Sequence, residues 1–239
     1  MCKLYKNILY TDDTERFPIR YRSGNQYVIV AYHSSNVILV EPFSSRKDKS
    51  RLVAYNAIMQ RLKEKDLPVD LHFLDNECSE DYQATIRNRW KVQFQLVPTN
   101  THRRNAAEQA TQTFKAHFLA ILSGVAPYFP RHLWDLILLQ TKMKLNLLRQ
   151  ATANLAIYVW EYFISKFNYN ATPLGPLGIS IIVHTKTGRQ QSWNFQGKYV
   201  WIIGALMTHY HCQHVIPKLT RLMMISDTTE FRHHHITQP

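Results

Sequence analysis

The sequence predicts an α/β domain followed by a small all-β domain. Three observations carry that expectation. Short runs rich in Ile, Val and Tyr open the chain, segments with helical spacing then alternate with such runs up to Val97, and beyond Gly178 only short strand-like runs remain.

The elements follow in order. Asn7 to Thr11 (NILYT), Gln26 to Tyr32 (QYVIVAY) and Val37 to Val40 read as strands, with Ser35-Asn36 as the turn between the last two, so three antiparallel strands are the simplest arrangement. Ser45 with Asp48 resembles a capping box. Leu52, Tyr55, Ile58, Met59 and Leu62 then repeat at helical spacing until Pro68, giving an amphipathic helix with a basic outer face. Val69 to Leu74 is a strand ending at Asp75, Ser79 to Trp90 a helix capped by Ser79, and Lys91 to Val97 a strand. From about Arg103, the residues Ala107, Ala110, Phe114, Phe118 and Ile121 share one helical face, which Gly124 and Pro127 end. A further long helix follows Pro130 and contains Trp134, Leu138, Leu145 and Leu148. Two Pro and two Gly in TPLGPLG (Thr172 to Gly178) mark a boundary. Strands are then expected at Ile179 to His184, Ser192 to Phe195, Tyr199 to Leu206, Cys212 to Ile216 and Leu222 to Ile225, with a Thr187-Gly188 turn, in the manner of a small barrel.

The composition is that of a globular chain: 45% hydrophobic, 19% charged, 7 Gly and 10 Pro among 239 residues. Disorder and collagen-like repeats are excluded. Apolar runs such as Val200 to Leu206 fall far short of the roughly 20 residues of a membrane helix, and the opening MCKLYKN lacks an apolar signal core, so no membrane partner is expected. Cys2, Cys78 and Cys212 are far apart and form neither a disulfide framework nor a CxxC zinc knuckle, which suits a reducing compartment. The net charge of +12 makes nucleic acid the first partner to consider. That excess is uneven, because after Glu108 only Asp135, Glu161, Asp227 and Glu230 are acidic against 12 Lys and Arg.

Asp12 falls at the end of the first strand, Asp75 at the end of the fourth, and Glu108 in the first turn of the helix after the fifth. Strand ends and helix starts meet at one edge of an α/β sheet. Three carboxylates converging there would repel one another unless hard cations such as Mg²⁺ or Mn²⁺ neutralised them. Two such ions about 3.5–4 Å apart can activate a water or 3′-hydroxyl and stabilise the leaving oxygen of a phosphoryl transfer. Taken singly, the two aspartates also read as turn formers and the glutamate as a favourable first-turn acid.

The stretches TDDTERFPIRYRSGNQY (Thr11 to Tyr27), LDNE (Leu74 to Glu77) and HRRNAAEQATQTFKAH (His102 to His117) together resemble the catalytic core of the retroviral and retrotransposon integrase family. The 33 positions from Asp75 to Glu108 are close to the spacing for which that family is known. Downstream, Pro130, Trp134, Asn146 and Arg149 look like the helix that follows the core in copia-type elements. Ser192-Trp193 through TEFRHH resembles their small SH3-like β domain.

The resemblance implies a ribonuclease H-like mixed five-stranded sheet with flanking helices over residues 1–125, a helical extension over 126–171 and an SH3-like barrel over 176–239. It matches Asp12, Asp75 and Glu108 to the metal-binding triad, with Mg²⁺ or Mn²⁺ as cofactor. It implies a polynucleotidyl transferase that trims a DNA 3′ end and joins it to a target. Double-stranded DNA is the implied partner, a homo-oligomer the implied assembly and the nucleus the implied location. His102, Arg103, Arg104 and Asn105, just before the catalytic helix, and Lys115, two turns past Glu108 on the same face, become candidate DNA contacts.

The chain departs from the family where it has Asp13 and Glu15 in place of an apolar residue and a Gly, so two further acids flank the first ligand. Asp13, next along a strand, should point to the face opposite Asp12. The family's His/Cys zinc module does not precede the core, and with eleven residues before Asp12 a fragment of a polyprotein or a gene relic is expected. Two other functions stay open. One is a ribonuclease H-like nuclease drawing a fourth acid from Asp13, Glu15 or Glu77; the other is a decayed element that only binds nucleic acid. Cys78 reads as structural, the cluster of Trp160, Tyr162 and Phe163 as core, and His233, His234 and His235 as part of a basic terminus.

Overall fold

A computed structural model of the chain describes residues 6–21, 24–75, 78–97, 105–184, 193 and 195–231, with the side chains of all of them except 48, 75 and 105. The chain divides into two compact units, Met1–Phe118 with Thr141–Phe167, and Leu119–Gln140 with Asn168–Pro239.

The first unit is built on strands β1 (Ile8–Asp13), β2 (Tyr27–His33), β3 (Ile38–Phe43), β4 (Leu71–Asp75) and β5 (Gln93–Val97). They lie in the order β3-β2-β1-β4-β5. The β1-β2 and β2-β3 pairs are antiparallel, while β4 runs parallel to both β1 and β5. The parallel pairs follow from the helices in their connections, since a crossover returns the chain in the same direction. The connecting helices are α1 (Asp48–Glu64) and α2 (Glu80–Ala84), the latter continuing as a wider π-helical stretch to Trp90. This mixed five-stranded sheet with flanking helices has the ribonuclease H-like architecture.

One face of the sheet is covered by the α1 and α2 segments. Tyr55, Ile58, Met59 and Leu62 of α1, with Tyr82 and Ile86, bury against Leu9, Ile29, Ala31, Leu39 and Leu74. Burial of each large side chain is worth about 1.5–3 kcal/mol as an upper bound. Val159 and Phe163 of the short helix α5 (Val159–Phe163) join this core, as expected of that aromatic cluster, while Tyr162 stays exposed.

Helix α3 (Asn105–Ser123) begins in the first unit, and α4 (Trp134–Leu147), entered through a 3₁₀ turn at Arg131–Leu133, ends in it. The last part of α4 protects the open edge of β3. Asn146 accepts a hydrogen bond from the Ile38 N–H at 3.0 Å and donates to its carbonyl at 2.8 Å. Arg149 donates to the Asn36 carbonyl and side-chain oxygens, and the Lys142 ammonium reaches the Val40 carbonyl at 3.5 Å. Ile38 and Val40 belong to β3 and Asn36 to the turn before it, while Lys142 and Asn146 lie one turn apart on α4 and Arg149 follows the helix end. Side chains from one stretch therefore satisfy backbone groups that an edge strand leaves unpaired.

The second unit carries an antiparallel five-stranded sheet of β6 (Ser180–His184), β7 (Gly197–Ala205), β8 (Gln213–Pro217), β9 (Met224–Ser226) and β10 (Thr229–Glu230), in the order β10-β6-β7-β8-β9. Its core is Ile179, Ile181, Val183, Val200, Ile202 and Val215, with Phe231 against them. Strand β7 is irregular between Ile202 and Gly204. A Cβ at Gly204 would lie 1.9 Å from Gln140 Cγ, and Gln140 donates to the Ala205 carbonyl at 2.8 Å, so glycine is required there by close approach.

Several local expectations are corrected. The Ser45/Asp48 capping box does not form: Lys47 occupies the N-cap position, and Ser45 Oγ instead accepts from the Lys47 N–H at 3.1 Å. The Ser79 cap is present, accepting from Tyr82 N–H at 3.3 Å. The strand expected at 192–195 falls partly outside the described residues, and Trp193 and Phe195, both exposed, lie in no strand. The Thr187-Gly188 turn and His233 to His235 also lie outside the described residues. Cys78 is buried without a disulfide, and no helix among the described residues is long and apolar enough to cross a membrane.

Candidate functional site

Strand β1 alternates in burial, with Leu9 and Thr11 buried and Ile8, Tyr10 and Asp12 half-buried. Leu9 belongs to the helix-covered core, while Ile8 and Tyr10 of the half-buried set pack against a second apolar cluster of Leu71, Phe73 and Val97. Tyr10 stacks on Phe73, ring centroids 5.1 Å apart, and the two are register partners across β1 and β4. Asp12 and Asp75 are each two residues beyond that pair on these adjacent parallel strands, so their backbones occupy equivalent positions at one sheet edge. Asp12 Oδ1 accepts the Asp13 N–H at 2.9 Å. The side chain of Asp75 is outside what the structure describes.

Glu108 stands exposed in the first turn of α3, the helix following β5, where a carboxylate is favoured by the helix dipole. His102, Arg103 and Arg104 lie outside the described residues, as does Glu77; Asn105 is the first residue of α3, with its side chain undescribed. The buried face of α3 holds Ala107, Ala110, Phe114 and Phe118. Phe118 meets Phe17, in the segment after β1, with centroids 6.0 Å apart.

The same segment carries Glu15, whose Oε2 accepts a hydrogen bond from Lys115 Nζ at 2.5 Å. That bond holds the Glu15 carboxyl below the usual carboxylate range. Lys115 therefore lies on the α3 face toward the β1 end, with its ammonium on Glu15.

Asp13 is on the opposite side of β1 from Asp12, as alternation requires. Its Oδ2 is 2.9 Å from Arg51 Nε of α1, both side chains being 14% exposed. The guanidinium carbon sits 4.9 Å from the ring centroid of buried Tyr82. Beneath this edge, His72 bridges Thr11 Oγ1, 2.9 Å from Nε2, and the Tyr55 hydroxyl, 3.2 Å from Nδ1. Complete burial, with the Arg51 charge adding to it, pushes the His72 ring down to about 3. Burial likewise raises Tyr82 well above the ordinary tyrosine range. His72 is thus a neutral structural group, screened from the edge by the sheet.

The donor chemistry at the edge fits a hard divalent cation: the candidate ligands are carboxylates, with no thiol or imidazole among them. Among the described residues no three His, Cys, Asp or Glu side chains are grouped as a metal site, and the Asp75 side chain is not one of those described. The Asp13–Arg51 and Glu15–Lys115 pairs were not legible in the sequence. Each joins residues far apart in the chain, and only the surplus of acids beside Asp12 hinted that cations would be needed there.

No family model matches the sequence, and no curated protein matches it. Among solved structures, a chain from the cryo-EM structure of the simian T-cell lymphotropic virus intasome in complex with PP2A regulatory subunit B56 gamma aligns with a TM-score of 0.50 and 12% identity, over 95% of this chain and 78% of that one. The crystal structure of the catalytic core domain of BIV integrase aligns with a TM-score of 0.46 and 12% identity, over 66% of this chain and 93% of that one. At 12% identity the likeness concerns the fold alone.

Proposed function

We propose that this chain is the integrase of a copia-type retrotransposon, or a fragment of it: a polynucleotidyl transferase that trims DNA 3′ ends and joins them to target DNA. The observation that carries the reading is the equivalent placement of Asp12 and Asp75 on adjacent parallel strands of a ribonuclease H-like sheet, with Glu108 opening the helix after the last strand. Asp12, Asp75 and Glu108 would hold Mg²⁺ or Mn²⁺. When bound, such ions activate the attacking oxygen and stabilise the leaving one in an in-line displacement.

The chain's own residues supply the remainder. The sheet fixes the two aspartates on rigid strands, and α3 presents Glu108 to solvent where a DNA end could enter. Asn105 and Lys115, with His102, Arg103 and Arg104 before them, would bind phosphates of double-stranded DNA without reading sequence. In this reading residues 1–125 form the catalytic part, 126–171 an extension and 176–239 an SH3-like domain. Lys218, whose ammonium lies 5.4 Å from the Tyr199 ring centroid, offers that last domain a cation beside an exposed aromatic. Action on chromosomal DNA implies the nucleus, and pairing of two DNA ends implies a homo-oligomer.

The test is strand transfer by the purified chain on a recessed DNA end with Mg²⁺ or Mn²⁺, with Glu108→Gln as control. Gln keeps the size and removes the charge that holds a cation. Joining by wild type and none by Glu108→Gln, with DNA binding unchanged in both, is expected. Cutting without joining would indicate a nuclease, and binding alone a relic.

A further inference from the structure

A strand at the edge of a sheet leaves backbone N–H and C=O groups unpaired, and proteins ordinarily blunt such an edge with charge or cover it. The edge of β3 is held by side chains of α4, and edge strand β10 carries Glu230, 3.5 Å from His184. Strand β9, the other edge of the second sheet among the described residues, is made of Met224, Ile225 and Ser226 and carries no charge. We propose that β9 docks a second copy of this chain, the two β9 strands pairing antiparallel about a two-fold axis at Met224. This goes beyond the metal-site reading and does not depend on it.

The edge is apolar and open on both faces of its sheet. Leu222, Met223, Met224 and Ile225 are 61%, 55%, 42% and 53% exposed, so strand alternation hides none of these four consecutive side chains. Contiguous exposed apolar surface of this kind marks an interaction site. Register sets Met224 opposite the core residue Val215 and Ile225 opposite His214, so these two neighbours point to opposite faces. An element laid on one face would cover only one of them. A strand laid alongside β9 covers both.

The charges around the strand identify the partner. Arg221 lies three residues before Met224 and Asp227 three residues after it; both are exposed, and neither makes an ion pair among the described residues. In an antiparallel pair centred on Met224, Arg221 of each copy stands opposite Asp227 of the other, and Met223 stands opposite Ile225. An axis at Met223 would instead set Arg221 opposite Ile225 and Asp227 opposite Leu219. An axis at Ile225 would set Arg221 opposite Thr229 and Asp227 opposite Met223. Of these three, only the Met224 axis matches charge with charge, and it does so twice because the interface is isologous. Such self-complementarity is what a second copy of the same strand supplies.

The experiment is sedimentation equilibrium of the full chain at low salt, without metal or DNA. Wild type should form a reversible dimer. Arg221→Asp and Asp227→Arg should each weaken it at least about fivefold, since each change sets like charges opposite one another at both ends of the paired strands. An equimolar mixture of the two variants should regain wild-type association, because each changed residue then faces an opposite charge on the other variant. Both positions are exposed, and Arg221, at φ 54°, has a backbone that Asp tolerates, so circular dichroism should be unchanged. Oxidation adds a distance test. Met224→Cys should give a covalent dimer, since residues directly opposite in an antiparallel pair have Cα atoms about 4.5–5.5 Å apart, within disulfide reach. Met223→Cys should not, because the two copies of that residue are offset along the strands.

A wild type that stays monomeric overturns the proposal and leaves β9 to a different partner. Association unaffected by either charge change, no recovery on mixing, or crosslinking through Met223→Cys as fast as through Met224→Cys overturns it as well. None of these outcomes bears on strand transfer, which the Glu108→Gln comparison tests separately.

Discussion

Replacing Glu15 by Gln should strengthen nonspecific DNA binding, because it releases the one α3 lysine that faces the end of β1. In the free chain the Lys115 ammonium is 2.5 Å from Glu15 Oε2, so a phosphate arriving there must displace a carboxylate first. The contact is open to solvent, with side-chain exposures of 41% and 78%, which limits its worth to about 1 kcal/mol or less. Affinity should accordingly rise by up to about fivefold. The salt dependence should also steepen, since a freed lysine that takes a phosphate adds about 0.9 to the slope of log K against log salt. Fluorescence anisotropy of a labelled duplex, between about 50 and 200 mM NaCl, reads both quantities. The gain should vanish when Lys115→Ala is combined with Glu15→Gln. Unchanged affinity and slope in Glu15→Gln would refute the competition, and a gain that persists without Lys115 would place the effect elsewhere.

Two further outcomes concern stability. His72 is held neutral down to about 3 against an ordinary value of 6.5, so the unfolded chain takes up this proton first. Stability from this group is present above about 6.5 and is lost as pH falls toward 3, by at most about 1.4 kcal/mol per pH unit. The difference in urea midpoint between wild type and His72→Asn should thus shrink from pH 7 to pH 4.5, and a constant difference would contradict the assignment. Asn146→Leu should cost about 2–5 kcal/mol in urea unfolding, since the Ile38 N–H and carbonyl both lose their partner at a buried edge. A loss below about 0.5 kcal/mol would show that the edge clamp is dispensable.

Much of the first sheet was legible because β-branched and aromatic runs such as QYVIVAY fit a strand buried on both faces, and the 3.6 spacing of Tyr55, Ile58 and Leu62 fits a helix laid on it. Strand alternation alone assigned Asp12 and Asp13 to opposite faces. What decides the fate of Asp13 and Glu15, however, is a cation on another element, and no local pattern announces Arg51 or Lys115. Asn146 and Arg149 belong to a sequence motif, yet the bonds they make, to Ile38 at the β3 edge and to Asn36 just before it, depend on where the end of α4 lies along that strand. The capping-box expectation failed because Ser45 bonds the Lys47 amide in a tighter turn before the helix begins. Strand β10 was missed since two residues are too few to show a period.

Whether Asp12, Asp75 and Glu108 hold divalent cations at one sheet edge is tested most directly by anomalous diffraction from crystals of the chain grown with MnCl₂. The expected result is a manganese peak with carboxylate oxygens of Asp12 and Asp75 at about 2.1 Å, and Glu108 on the same ion or on a second one beside it. A peak ligated by Asp13 or Glu15, or an empty edge in crystals saturated with Mn²⁺, would contradict the assignment.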